Sequence, residues 1–208
     1  MDRVPMHEHR NMQRRFECLW ILDQSGSMGA DARLQKALQY TREALSMLPS
    51  ALEYESPGVD VRFGCVAGGE PRWIVERGTP VADVVLPSLT ASGYSPVGQM
   101  LTMVADSEMR LASTPKSAGV SLIVLFTDGY VTDNWEMGIA RLRCVSSFHE
   151  QHRLAVPLST DIREDVIASY VSENSPDPAS LSDPLCLVHH AAALMRAACG
   201  SDQCSCLS

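Results

Sequence analysis

Long uninterrupted apolar runs are missing from this 208-residue chain, whereas a bilayer-spanning helix needs about 20 apolar residues in succession. A helical membrane protein is therefore excluded. Also missing is a basic leader followed by an apolar stretch, because Met1 to Arg10 scatter charge among polar residues; the expectation is a cytoplasmic protein. Basic excess is lacking as well. The net charge of −8 offers no positive face to displace counterions, which argues against a nucleic-acid partner. Paired CxxC motifs are absent, and seven cysteines are an odd number spread through the predicted elements. They suit free thiols in a reducing compartment better than a disulfide framework. His189, His190, Cys199, Cys204 and Cys206 invite a zinc reading, but adjacent helical histidines diverge and the Cys204–Cys206 gap is one residue. A tail with free thiols is the simpler reading.

What remains is an ordinary globular composition, 45% apolar and 20% charged, with enough length to bury a substantial core and no internal repeat. The expected organisation is a flexible arm at 1–15, one domain at 16–200, and a cysteine-containing tail at 201–208. Within the domain, Leu19-Trp20-Ile21-Leu22 and Val120 to Phe126 lose polar alternation, as strands covered on both faces do. Val59, Val61, Phe63, Cys65 and Ala67 alternate with polar residues, and Gly68-Gly69 turns the chain toward Arg72 to Val75; this reads as a hairpin. Leu154 to Leu158 predicts a further strand, placed near a sheet edge by Pro157.

Helical spacing predicts helices over 31–48, capped by Asp31 and stopped by Pro49, and from Val97 onward, with Pro96 in the first position and Ser95 as cap. Others are expected over 134–151, where Asp133 and Glu136 stand at capping-box spacing, over 163–170, and over 184–199 with Gly200 as the break. Alternating strands and helices predict an α/β fold: a Rossmann-like, doubly wound, mostly parallel sheet with one antiparallel edge hairpin.

Both buried runs end at an acid. After the first come Asp23-Gln24-Ser25-Gly26-Ser27, and after the second Thr127-Asp128-Gly129. Asp23, Ser25 and Ser27 offer only oxygen ligands, a set that suits a hard cation. An acid at a strand end alone reads as a turn or a cap; the joint pattern reads as an ion site.

At these residues the sequence resembles the von Willebrand factor A (VWA) family with its metal-ion-dependent adhesion site, from about Phe16 to Leu158. The wording from Leu125 to Trp135 is most similar to stand-alone bacterial VWA proteins of tellurium-resistance type. The resemblance implies a metal set of Asp23, Ser25, Ser27, Ser95 and Asp128, with Ser95 standing where the family usually has Thr. It implies Mg²⁺, with Mn²⁺ or Ca²⁺ as alternatives, and a protein partner that supplies Asp or Glu to the metal. By association, it places that partner in a stress-response or phosphorylation-linked assembly, with a kinase or phosphatase as candidate.

An enzyme is not expected. Ser25 replaces the second acid that a dehalogenase-type phosphatase needs, no phosphate loop or nucleophile elbow occurs, and no base stands near the acids. A metal-independent scaffold with a degenerate site is the alternative, and a metal-dependent phosphoesterase a more distant one.

Overall fold

The computed structural model describes residues 14–111, 119–160 and 162–204. Among the described residues, five strands form one sheet in the order β3-β2-β1-β4-β5, with β1 at Arg15–Leu22, β2 at Asp60–Ala67, β3 at Arg72–Pro80, β4 at Gly119–Thr127 and β5 at Gln151–Pro157. Only β2 and β3 pair antiparallel; the other neighbours run parallel. The doubly wound sheet with its edge hairpin is as expected, and Pro157 does lie on an edge strand.

Central β1 explains the lost alternation. Phe16, Cys18, Trp20 and Leu22 face a core completed by α1 (Arg33–Glu55) and α5 (Pro184–Cys204). Leu19 and Ile21 face a second core with α2 (Val97–Leu111), α3 (Trp135–Arg143) and α4 (Glu164–Tyr170). Apolar residues are therefore needed at successive positions. On the α2 side a polar cluster is admitted. Glu17 and Glu108 are both buried and share the Arg77 guanidinium, which also donates to Ser107 Oγ at 2.9 Å.

Several expected boundaries move. Pro49 lies inside α1, which continues to Glu55. An interior proline costs a helix about 3 kcal/mol, but Leu48 and Leu52 are both fully buried, and each buried leucine returns roughly 1.5–3 kcal/mol. The third helix stops at Arg143 rather than near 151. Gln151 instead joins β5 opposite Ser121, and buried Arg153 ties down the intervening turn. Its Nη1 donates to the Phe148 carbonyl at 2.6 Å, and its guanidinium lies 3.8 Å from the Phe148 ring centroid. Long-range pairing wins over helical spacing here. Gly200 does not end α5, which runs on to Cys204.

Residues 1–13 of the expected arm and 205–208 of the expected tail lie outside the described residues. Arg14 and Arg15 belong with the sheet: the Arg14 carbonyl accepts from the Asp60 amide at 2.8 Å, and Arg15 opens β1. No helix among the described residues is long and apolar enough to cross a membrane.

Candidate metal centre

From β1 the chain moves to β2 on one side of the sheet, and from β4 to β5 on the other. The carboxyl ends of β1 and β4 thus border the crevice where strand order reverses, the usual ligand position in open α/β sheets. Leu22 pairs with Phe126, and the Asp23 amide donates to the Phe126 carbonyl at 2.9 Å. That register sets Asp23 beside the end of β4.

Asp23 is fully buried and collects donors from three segments. Its Oδ1 accepts from the Ser25 amide at 2.9 Å; its Oδ2 accepts from Ser95 Oγ at 2.7 Å and from Thr127 Oγ1 at 3.0 Å. Burial pushes the Asp23 carboxyl above its ordinary pKa, opposed by the bonds from Ser25, Ser95 and Thr127. Three of roughly four acceptor positions on the carboxylate are used, so Asp23 mainly organises the hydroxyls around it. Ser25 is buried and Ser27 exposed, with their Oγ atoms 3.1 Å apart.

Backbone bonds, beside the Ser95 hydroxyl, also pin this loop to the first motif. The Ser92 amide donates to the Gln24 carbonyl at 2.8 Å, and the Gly26 amide to the Gly93 carbonyl at 3.1 Å. Ser95 is fully buried. Its hydroxyl is spent on Asp23 rather than on capping α2, because Asp133 takes that role from across the fold. The Asp133 carboxylate accepts from the Gly98 and Gln99 amides at 2.9 Å each. This corrects two expectations at once. Asp133 does not cap the helix that follows it; Asn134 does, accepting from the Met137 amide at 3.0 Å. Asp31 is not a cap either. It has φ 50°, and Ala32 occupies the N-cap position of α1 with no side-chain bond.

Asp128, also fully buried, enters through its neighbour. Thr127 Oγ1 both donates to Asp23 and accepts from the Gly129 amide at 3.0 Å; φ of +86° at Gly129 turns the chain away after the acid. Asp128 Oδ1 accepts from the Tyr130 amide at 3.2 Å, and Oδ2 accepts from Arg33 Nη1 at 3.2 Å. Asp23, Ser25, Ser27 and Ser95 are thus linked by direct contacts, with Asp128 one residue from the Thr127 that joins them. Thr127, Arg33 and Thr132, whose Oγ1 accepts from the Ser95 amide at 2.9 Å, were missed from the sequence. Thr127 alone carried a signal, standing at the end of a buried strand beside the second acid.

The donor set is two carboxylates and three hydroxyls, all oxygen, which fits a hard divalent cation and fits zinc poorly. Among the described residues no group of three or more His, Cys, Asp or Glu is placed to hold a metal, so an ion here depends on the serine hydroxyls. Tyr94 and Tyr130 stand exposed on the loops carrying Ser95 and Asp128.

No family model and no curated protein matches the sequence. Solved structures do. The ArnB paralog VWA2 from Sulfolobus acidocaldarius matches with a TM-score of 0.55 at 14% identity, over 85% of this chain and 44% of that one. BatB from Bacteroides thetaiotaomicron matches with a TM-score of 0.55 at 14% identity, over 86% and 98%. Proximal thread matrix protein 1 from the mussel byssus, with a zinc-occupied adhesion-site motif, matches with a TM-score of 0.53 at 16% identity, over 90% and 46%. This chain thus spans less than half of the archaeal and mussel chains. With the sheet order and the crevice between β1 and β4, these likenesses give the chain the fold of a von Willebrand factor A domain.

Proposed function

We propose that this protein is a metal-dependent protein-interaction module. Asp23, Ser25, Ser27, Ser95 and Asp128 hold Mg²⁺, with Mn²⁺ or Ca²⁺ as alternatives, and an Asp or Glu of a protein partner completes the ion's coordination. The observation that carries this reading is the buried Asp23 carboxylate, which gathers the Ser25 amide and the Ser95 and Thr127 hydroxyls at the strand-order reversal. The metal in the mussel protein's motif supports a divalent ion in this fold; the all-oxygen donors here favour Mg²⁺ over zinc. The protein acts by binding and not by catalysis. On the sequence resemblance alone, the partner belongs to a cytoplasmic stress-response assembly of tellurium-resistance type, as a kinase or phosphatase of the same system.

A bound ion stabilises the folded state by about 2.7 kcal/mol at a hundredfold excess over its dissociation constant. Mg²⁺ or Mn²⁺ is therefore expected to raise the melting temperature and EDTA to reverse the rise. Ser27→Ala, at an exposed position, should weaken this response without loss of folding, and Asp128→Asn should abolish it. An unchanged response in Asp128→Asn would sink the assignment. A second reading, a metal-independent scaffold, draws on one contact: the Arg33 guanidinium already neutralises Asp128. Partner capture that survives EDTA would favour it.

A further inference from the structure

The contact between Arg33 and Asp128 has no part in the donor set, yet it occupies one of the two acids. Arg33 Nη1 lies 3.2 Å from Asp128 Oδ2, on a carboxylate with no solvent exposure, and the Arg33 side chain is itself only 18% exposed. A guanidinium in hydrogen-bond contact with a buried carboxylate is a strong, charge-assisted partner. A divalent ion held by the same carboxylate meets that positive charge at short range, and the two repel.

Two further features make the pair separable. Arg33 Nη2 lies 3.7 Å from Asp31 Oδ2, on a side chain 79% exposed, so a guanidinium that leaves Asp128 already has a second acid within reach. The connection is also strained. Asp31 and Ala32 have φ of 50° and 55°, two successive non-glycine residues in the left-handed region between the Ser27 loop and α1. Such backbone persists only where surrounding contacts hold it, and Arg33, the first residue of α1, is placed to supply one.

We propose that Arg33 is a built-in competitor for the ion site: its guanidinium and a divalent cation claim the same Asp128 carboxylate, so this pair sets ion affinity. Ion binding thereby moves Arg33 from Asp128 toward Asp31 and relieves the strained turn. The proposal rests on the reading of this site as a divalent-cation site. It also joins the two functional readings, because the contact that favours a scaffold becomes the gate on the metal.

The test is Mg²⁺ titration by calorimetry on the full chain, comparing wild type, Arg33→Gln, Arg33→Lys and Asp128→Asn. Removing one charge-assisted bond from the competing partner is expected to tighten Mg²⁺ binding roughly tenfold in Arg33→Gln. Arg33→Lys should fall between that variant and wild type, and Asp128→Asn should bind weakly or not at all. A purely structural Arg33 predicts the opposite sign, since losing it would loosen the loop and weaken binding. Equal or weaker affinity in Arg33→Gln, with wild type still binding Mg²⁺, overturns the competition and leaves the cation site standing. Absence of binding in both wild type and Arg33→Gln overturns the site and the competition together. Should Arg33→Gln fail to fold, the side-chain Nε–H resonance of Arg33, assigned by its loss in Arg33→Lys, decides. It is expected to shift when Mg²⁺ saturates the wild type, and an unmoved resonance with Mg²⁺ bound overturns the proposal.

Discussion

Replacing Thr127 by valine keeps the branched shape and removes one hydroxyl, which isolates what that hydroxyl does. It donates to Asp23 Oδ2 at 3.0 Å and accepts from the buried Gly129 amide at 3.0 Å, and Thr127 has no solvent exposure. A bond to a charged acceptor contributes about 1.5–3 kcal/mol, and a buried N–H left without a partner costs about 1–3 kcal/mol. Asp23 Oδ2 keeps the Ser95 donor, so the first contribution sits near its lower end. The expected loss in Thr127→Val is about 3 kcal/mol, which in a chain of this size lowers the melting temperature by roughly 6–12 °C. The assay is urea denaturation followed by circular dichroism, in EDTA so that ion binding does not contribute. Thr127→Ser restores the hydroxyl and should recover most of the loss. A Thr127→Val protein within about 0.5 kcal/mol of wild type would refute the claim that this hydroxyl holds the two strand ends together.

Two other outcomes test the scaffold around the site. Arg77→Gln leaves Glu17 and Glu108 buried without their shared cation and is expected to cost about 3–5 kcal/mol by denaturation; a loss under about 1 kcal/mol would mean that water reaches these acids. His152 and His190 are both held below their ordinary pKa, chiefly by burial, with their mutual repulsion and Arg153 adding to the effect at His152. The folded protein therefore binds fewer protons than the unfolded chain as pH falls through the ordinary histidine value of about 6.5. Stability present above that value is lost on acidification, and His152→Gln should flatten the decline in a pH series of melting temperatures. An equally steep decline in that variant would assign it to other groups.

Much of the fold was legible because burial on both faces of a strand erases polar alternation, which any reader of 19–22 and 120–126 can see. Element ends were less legible. Pro49 and Gly200 are strong local breakers, yet both lie inside helices, and in α1 the buried Leu48 and Leu52 outweigh the local penalty. The opposite happened at 144–151, where helical spacing continues but Arg153 and the pairing of β5 with β4 end the helix early.

The candidate site divides in the same way. Asp23, Ser25, Ser27, Ser95 and Asp128 are the metal set that the resemblance to the family's motifs implies, and the donor chemistry of each is written in the residue itself. The sequence also determined that all five side chains offer only oxygen. Only the tertiary structure decided how they are held. Asp133 frees the Ser95 hydroxyl by capping α2 from a distance. Thr127 joins the ends of β1 and β4 through Asp23, and Arg33 reaches Asp128 across 95 positions of chain. These bonds depend on sheet register and helix packing, and a hydrogen bond between residues so far apart in sequence exists only once the sheet has brought their segments together.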